Sequence, residues 1–193
     1  VMPSVNYATK KLDVSFSAGV SDVKGSNDHT QTTTFSDHEK QSEYVRSFDW
    51  KTYNANLLAK YQLSQKIDFG VLSNISTNQM DINQHDVTRE WNTENVTDMN
   101  SPKPKNFNLS AELFLDWMLD TKGKMVTLTY DYLNNYAKQD ERLTSTLQNT
   151  QTTGSSRYRI DAYKMDFTLP LTIANVETGL HYTHIGNSSD VNI

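Results

Sequence analysis

The chain has 193 residues, a net charge of −5 and a mean hydropathy of −0.68, enough for one large domain or two small ones. Acidic balance without a basic cluster argues against nucleic acid as the main partner, and the lack of any cysteine excludes a disulfide scaffold, a thiolate nucleophile and a Cys-based zinc site. Ten Tyr, seven Phe and three Trp set the chain apart from disordered polar sequences. No run of about 18 apolar residues offers a transmembrane helix, which leaves spanning strands open because they need apolar residues only at alternate positions. The opening VMPSVNYATKK has no apolar signal-peptide core, as expected of a mature chain or of a piece cut from a longer one.

In chain order, a short strand is predicted over 2–8, ending in the turn Thr9-Lys10. Next, LDVSFSAGV alternates Leu12, Val14, Phe16, Ala18 and Val20 with Asp13, Ser15, Ser17 and Gly19, predicting a strand over 10–20. YNANLLAKYQL sets Tyr53, Ala55, Leu57, Ala59, Tyr61 and Leu63 against Asn54, Asn56, Lys60 and Gln62, within a strand over 50–63. IDFGVLSNI gives Ile67, Phe69, Val71 and Ile75 opposite Asp68, Gly70 and Asn74, within 66–80. FNLSAELFLDW places Phe107, Leu109, Ala111, Leu113, Leu115 and Trp117 on one face of a strand over 106–119, with Phe114 as the exception on the other. KMVTLTYDY alternates Val126, Leu128, Tyr130 and Tyr132 with Thr127, Thr129 and Asp131, within 124–136. YKMDFTL and VETGLHYTH continue the pattern in strands over 158–169 and 175–186. A helical period would mix Asp and Lys into every apolar stripe, so these are half-buried strands. The expected fold is all-β: an antiparallel up-and-down meander of about seven or eight long strands, either a segment of a transmembrane β-barrel or a small closed barrel. Residues 1–193 are read as a single β-barrel region.

The connections predicted between these strands alternate short and long. Short ones are 64–66, 121–123 and 171–174; long ones are 21–49, 81–105 and 137–157. A meander puts all the long loops at one end, an asymmetry that outer-membrane barrels have. The long segments are rich in Asn, Gln, Ser, Thr and Asp, as in HTQTTTFSDHEKQSE, and are read as solvated surface loops.

Sites of chemistry are scarce. His181 and His184, three apart on a predicted strand, point to opposite faces, so a metal site is not expected there; the other histidines are His29, His38 and His85. Asp13, Asp68, Glu112, Asp116, Asp131, Asp166 and Glu177 mark a polar face, with Lys60, Lys164 and Arg159 to balance part of the charge. They read as channel-lining residues more readily than as catalytic pairs. Glycosylation-type sequons at Asn74, Asn95, Asn108 and Asn187 are explained by composition, two of them lying in predicted strands. The sequence has no Gly-rich phosphate loop, Gly-x-Ser-x-Gly or His-Glu-x-x-His; no enzyme and no cofactor are expected. Aromatics gather toward strand ends: Tyr61, Trp117 and Phe167 near the short turns, and Phe48, Trp50, Tyr53, Tyr132, Tyr136, Tyr158 and Tyr182 toward the long loops. Two such girdles are expected at bilayer interfaces.

The stretch AELFLDWMLDTKGKMVTLTYDYLNNYAKQDE, with its aliphatic-Asp-Trp strand end, Lys-Gly-Lys turn and returning Leu/Thr/Tyr strand, resembles an outer-membrane protein family related to TonB-dependent receptors. YRIDAYKMDFTLPLTIANVETGLHYTHIGNSSD resembles the next hairpin of that family, and the likeness covers roughly residues 50 to 190. The resemblance implies a large barrel in the bacterial outer membrane, with an N-terminal plug and often a preceding carboxypeptidase-like domain. Such a protein takes up a nutrient or chelate with energy passed from TonB. This sequence shows no plug, no TonB box and no closing aromatic residue, so it is read as an internal barrel segment of a larger receptor. The partners so implied are outer-membrane lipid, a small-molecule or oligosaccharide ligand, and TonB through other regions of the parent. Leu113, Leu115, Val126, Leu128 and Phe167 are expected to face lipid. Glu112, Asp131 and Lys164 are expected to line the lumen, with Tyr61, Trp117, Tyr132 and Tyr182 in the girdles. Raw sheet edges are expected to make the segment self-associate or fold its sheet over. The rival reading is a soluble β-sandwich, a binding or adhesin module, whose apolar faces would meet in a core.

Overall fold

The computed structural model describes residues 2–91, 93–101, 105–145 and 149–192. Among these residues nine strands form one antiparallel sheet: β1 (Ser4–Ala8), β2 (Leu12–Thr34), β3 (Glu39–Ser64), β4 (Ile67–Glu90), β5 (Thr93–Ser101), β6 (Lys105–Met118), β7 (Met125–Ser145), β8 (Asn149–Pro170) and β9 (Asn175–Asn192). Each pairs with its sequence neighbour, except that β5 and β6 share one place between β4 and β7. β5 pairs with the far end of β4 and β6 with the near end. Ile82 faces Ser101 while Gln79 faces Lys105, so the register steps by one residue between Ser101 and Lys105. The all-β meander expected from alternation is therefore the fold.

The long loops are the main correction. Residues 21–34 pair with 39–52, so β2 and β3 run to 23 and 26 residues around the short turn at Phe35–His38. The segments 81–105 and 137–157 are likewise largely strand: the far ends of β4, β7 and β8, and all of β5. Alternation is lost there because neither face of these extensions is consistently apolar, and period two is visible only when one face is apolar. Thr-rich runs such as Thr32-Thr33-Thr34 still favour extended backbone. The asymmetry between the two ends survives in altered form. At one end the strands stop at tight turns beside the last apolar residues; at the other, polar hairpins extend past them. All four sequons, not two, lie in strands.

A tip joins β2–β3 to β4. The His38 imidazole stacks between Phe35 and Trp91, with centroids 4.5 and 4.6 Å away. Its Nδ1 lies 2.8 Å from Asp37 Oδ1 and its Nε2 3.1 Å from Glu90 Oε1. Trp91 takes φ 56°, an uncommon conformation for a bulky residue.

The opposite end is set by local chemistry in Asp120-Thr121-Lys122-Gly123-Lys124. The Asp120 carboxylate accepts the backbone N–H of Lys122 (2.8 Å) and of Lys124 (3.1 Å). Gly123 supplies the φ of 93° that an L side chain would strain. The Lys124 N–H first, then that of Lys122, holds the Asp120 carboxyl below the usual carboxylate range. A depressed folded-state pKa stabilises above the unfolded value of about 4 and loses that stabilisation as pH falls through the folded value. Protection of the Lys122 and Lys124 amides, taken relative to their intrinsic exchange rates, should therefore fall as pH drops below about 4 in the native chain. In Asp120→Asn that protection should be weaker already at neutral pH and show no such transition.

No strand contacts a strand that is not its sheet neighbour, so among the described residues there is no second layer and the sheet does not fold over on itself. Among the described residues only Ile82, Val126 and Ala162 are buried apolar side chains, and none is fully enclosed. β1 pairs with β2 alone and β9 with β8 alone among the described residues, so the expectation of a small closed barrel is not met.

Candidate membrane face and polar groove

Because successive side chains alternate, the ladders sort the sheet into two faces. One carries Val14, Phe16 and Ala18 of β2, Tyr53 to Leu63 of β3 at every second residue, and Ile67 to Ile75 of β4 in the same way. It continues through Phe107, Leu109, Leu113, Leu115 and Trp117 of β6, then Val126, Leu128, Tyr130 and Tyr132 of β7. Tyr163, Met165 and Phe167 of β8 and Val176, Leu180 and Tyr182 of β9 complete it. The residues expected to face lipid all lie here: Leu113 is opposite Tyr130, Leu115 opposite Leu128, and Trp117 and Phe167 flank Val126. Tyr61, Trp117, Tyr132 and Tyr182 share this face too. Leu180 is 73% exposed and Tyr182 63%, and among the described residues nothing covers the apolar surface.

On β6 the apolar stretch runs from Phe107 to Trp117, roughly 34 Å along the strand and so roughly 24 Å in height at a 45° tilt. Its limits slide across the sheet. On β3 it ends at Tyr53 and Leu63; on β8, whose Tyr163 lies level with Ala59 in the ladders, it runs from Tyr163 to Leu169. A level slab crossing tilted strands gives this stagger. Tyr130, Tyr163 and Tyr182 form one cross-strand row, with centroids 4.9 and 6.3 Å apart.

The other face is polar. Glu112 lies opposite Asp131, and Lys164 Nζ reaches Asp131 Oδ2 at 2.7 Å. Lys60 pairs with Asp68 at 3.0 Å. Amide side chains link strands laterally: Asn56 donates to Ser17 Oγ (3.2 Å), Asn74 donates to Asn56, Asn108 donates to Ser76 Oγ (3.4 Å), and Asn135 donates to Asn108. Thr127 donates to Asp116 at 2.9 Å. Part of this face forms a groove of about 660 Å³ that reaches from Ser15 on β2 to Thr183 on β9; Ser17, Asn56, Asn74, Glu112, Asp131 and Lys164 line it, together with the apolar Leu58, Leu72, Leu133 and Ile160. All seven carboxylates assigned to the polar face from the sequence lie on this face by register, and Glu112 and Asp131 also line the groove. His181 lies on this face and His184 on the apolar one.

Phe114, the exception in the alternation, sits on the polar face with its ring over Gly70. A Cβ at Gly70 would lie 2.1 Å from the ring edge. Phe48 covers Gly25 in the same way. An aromatic side chain folded over a facing glycine covers backbone that the glycine leaves bare.

Three placements differ from expectation. Phe48, Trp50 and Tyr158 carry the parity of the polar face, so they are not girdle residues. Arg159, expected to balance the polar face, is on the apolar side: it binds Asp161 through Nε (2.8 Å) and Nη2 (3.1 Å) and lies over the Tyr132 ring at 5.3 Å. Lys105, Lys138 and Arg157, which the sequence reading passed over, also carry the parity of the apolar face. Counting by twos from Phe107, Tyr136 and Tyr163 would have found them.

No protein-family model and no curated protein matches the chain. Among solved structures it is similar to the ferric yersiniabactin uptake receptor FyuA from Yersinia pestis, with a TM-score of 0.51 and 11% identity over 98% of this chain and 40% of that one. The ferric citrate transporter FecA in its unliganded form aligns with a TM-score of 0.47 and 10% identity, over 97% of this chain and 38% of that one. The chain thus spans about 40% of the receptor it matches, and what it shares with that receptor is the fold, that of an outer-membrane β-barrel.

Proposed function

We propose that this stretch forms part of the wall of a bacterial outer-membrane receptor barrel of the TonB-dependent kind, which takes up a nutrient or chelate. The observation that carries the reading is the single-layer sheet itself. One face is apolar over roughly the 25 Å that an outer-membrane barrel presents to hydrocarbon, and no second layer covers it among the described residues. The other face is a hydrogen-bonded polar surface suited to a water-filled or plugged interior. The polar hairpins beyond the apolar band are the outward-projecting part and the natural place for ligand contact. Leu113, Leu115, Val126, Leu128 and Phe167 meet acyl chains; Glu112, Asp131 and Lys164 line the interior; Tyr61, Trp117, Tyr132 and Tyr182 stand toward the interfaces. The remaining strands close the barrel, since an open edge is not tolerated in hydrocarbon, and coupling to TonB belongs to regions of the parent outside this sequence. The similarity to FyuA, a ferric yersiniabactin uptake receptor, suggests a metal chelate as the first ligand class to test.

Two measurements test this. The full-length protein should fractionate with outer membranes and migrate faster on gels before boiling than after. Recovery in the aqueous fraction without detergent would contradict the membrane reading. A deletion strain grown on a panel of iron chelates and oligosaccharides as sole sources should lose growth on at least one of them; unchanged growth on all would contradict uptake.

A further inference from the structure

The apolar face ends on its hairpin side in a pattern of cations. On three strands, the residue two positions beyond the last aromatic of that face is a lysine: Lys51 after Tyr53, Lys105 after Phe107 and Lys138 after Tyr136. On β8, Arg159 and Arg157 follow Tyr163 beyond Asp161. The ladders gather four of these on adjacent strands. Lys105 is directly opposite Lys138, Tyr136 is opposite Arg157, and Asn134 is opposite Arg159.

Like charges facing each other across a ladder repel, and no ion pair engages Lys105, Lys138 or Arg157 among the described residues. Lys51 differs, having Asp49 at 3.9 Å. Both guanidinium groups are laid against the sheet: Arg157 over the Tyr136 ring at 5.6 Å and Arg159 over Tyr132 at 5.3 Å. Asp161, itself buried, takes up Arg159 and also accepts the Tyr130 hydroxyl at 2.8 Å. It fixes the arginine while leaving the guanidinium half exposed. Further carboxylates of this face stand on the hairpin side of the patch: Asp81, two residues beyond the Gln79 that faces Lys105, Asp98, opposite His85, Asp140, which accepts from Gln151 at 3.3 Å, and Asp190, opposite Ser155.

We infer that Lys105, Lys138, Arg157 and Arg159 form a seat for the phosphate of a membrane lipid headgroup, the lipid's chains lying on the apolar face beneath. Charge complementarity and continuity with the apolar surface select a lipid-borne phosphate over a free one. A soluble anion would gain the charge contacts but leave Phe107, Leu109 and Tyr132 bare. Planar guanidinium groups suit phosphate oxygens, offering paired donors. The inference rests on the membrane reading above and names a specific lipid contact within it.

The test uses the full-length protein in nanodiscs, comparing phosphatidic acid with phosphatidylcholine by native mass spectrometry of retained lipid. The expected result is selective retention of phosphatidic acid, weakened roughly fivefold for each cation removed in Lys105→Gln/Lys138→Gln and further in the variant that adds Arg157→Gln and Arg159→Gln. Lys122→Gln, in the turn at the far end, should leave retention unchanged, and Lys105→Arg/Lys138→Arg should keep it. The lysine pair serves as the safe variant because neither residue holds the sheet through an ion pair among the described residues. Equal retention of both lipids, or undiminished preference in the fourfold variant, would overturn the inference. So would displacement of the lipid by inorganic phosphate at equal concentration. A protein that enters nanodiscs yet shows no preference refutes only this inference; one that does not enter them refutes the membrane reading beneath it.

Discussion

Replacing Leu113 by Arg is expected to destabilise the folded protein in a bilayer by about 2–4 kcal/mol, the cost of a cation on the lipid face of a barrel near mid-depth. Leu113 lies about midway between Phe107 and Trp117, opposite Tyr130 and Val71, so its head group is too deep to reach water easily by extending along the strand. The same substitution at Ser110 points into the polar groove and should change stability by less than about 0.5 kcal/mol. Denaturant unfolding of the full-length protein in lipid vesicles reads both values. A single-layer sheet in water offers no reason for that difference, since an arginine on an exposed face in water costs little wherever it stands. Equal effects at the two sites would therefore count against hydrocarbon on the apolar side.

Gly70→Ala should cost about 1–3 kcal/mol, the usual range for overfilling a packed place, although alanine adds only one methyl group. The new Cβ would fall 2.1 Å from the Phe114 ring edge, so the ring must leave its position over β4. Phe114→Ala alone uncovers the Gly70 backbone and is destabilising too. The double variant Gly70→Ala/Phe114→Ala should recover most of the loss caused by the alanine at 70, because the clash is gone. Residues that share one contact are non-additive in this way, and a double-mutant cycle on the same unfolding assay measures it. Additive effects would mean that the ring and the glycine do not share the contact described here.

How much could be read from the residues follows from which faces are asymmetric. Where one side meets apolar surroundings and the other is polar, as in Phe107–Trp117 or Val126–Tyr132, period two is plain and both existence and facing were legible. So was Glu112, Asp131 and Lys164 sharing a face, since each stands between apolar neighbours. In the hairpin extensions, such as Thr30–Thr34 against Glu39–Glu43, neither face is selected against water. Pattern is then lost although the ladder continues, and such strands read as polar loops in the sequence. Single residues near this boundary were misplaced for the same reason: Arg159 follows apolar parity into a polar setting, and Trp50 does the reverse. Phe114 broke the alternation because it answers to a cross-strand glycine, a pairing that only the register between β4 and β6 reveals. The clustering of Lys105, Lys138, Arg157 and Arg159 likewise needs the register, since residues far apart in sequence become neighbours only once the ladders are aligned.

The stretch contains no cysteine, so single cysteines can be placed in it for labelling. The most direct test of the account puts a fluorophore in turn at Leu113, Leu115, Glu112 and Asp131 of the full-length protein reconstituted in lipid vesicles. Brominated acyl chains and a water-soluble quencher then compete for each label. The account predicts quenching by the brominated chains at Leu113 and Leu115, and by the aqueous quencher, or by neither, at Glu112 and Asp131. Alternation of that kind between neighbouring residues requires a sheet with hydrocarbon on one side only. Labels at Leu113 and Leu115 that escape the brominated chains, or that match those at Glu112 and Asp131, would contradict it.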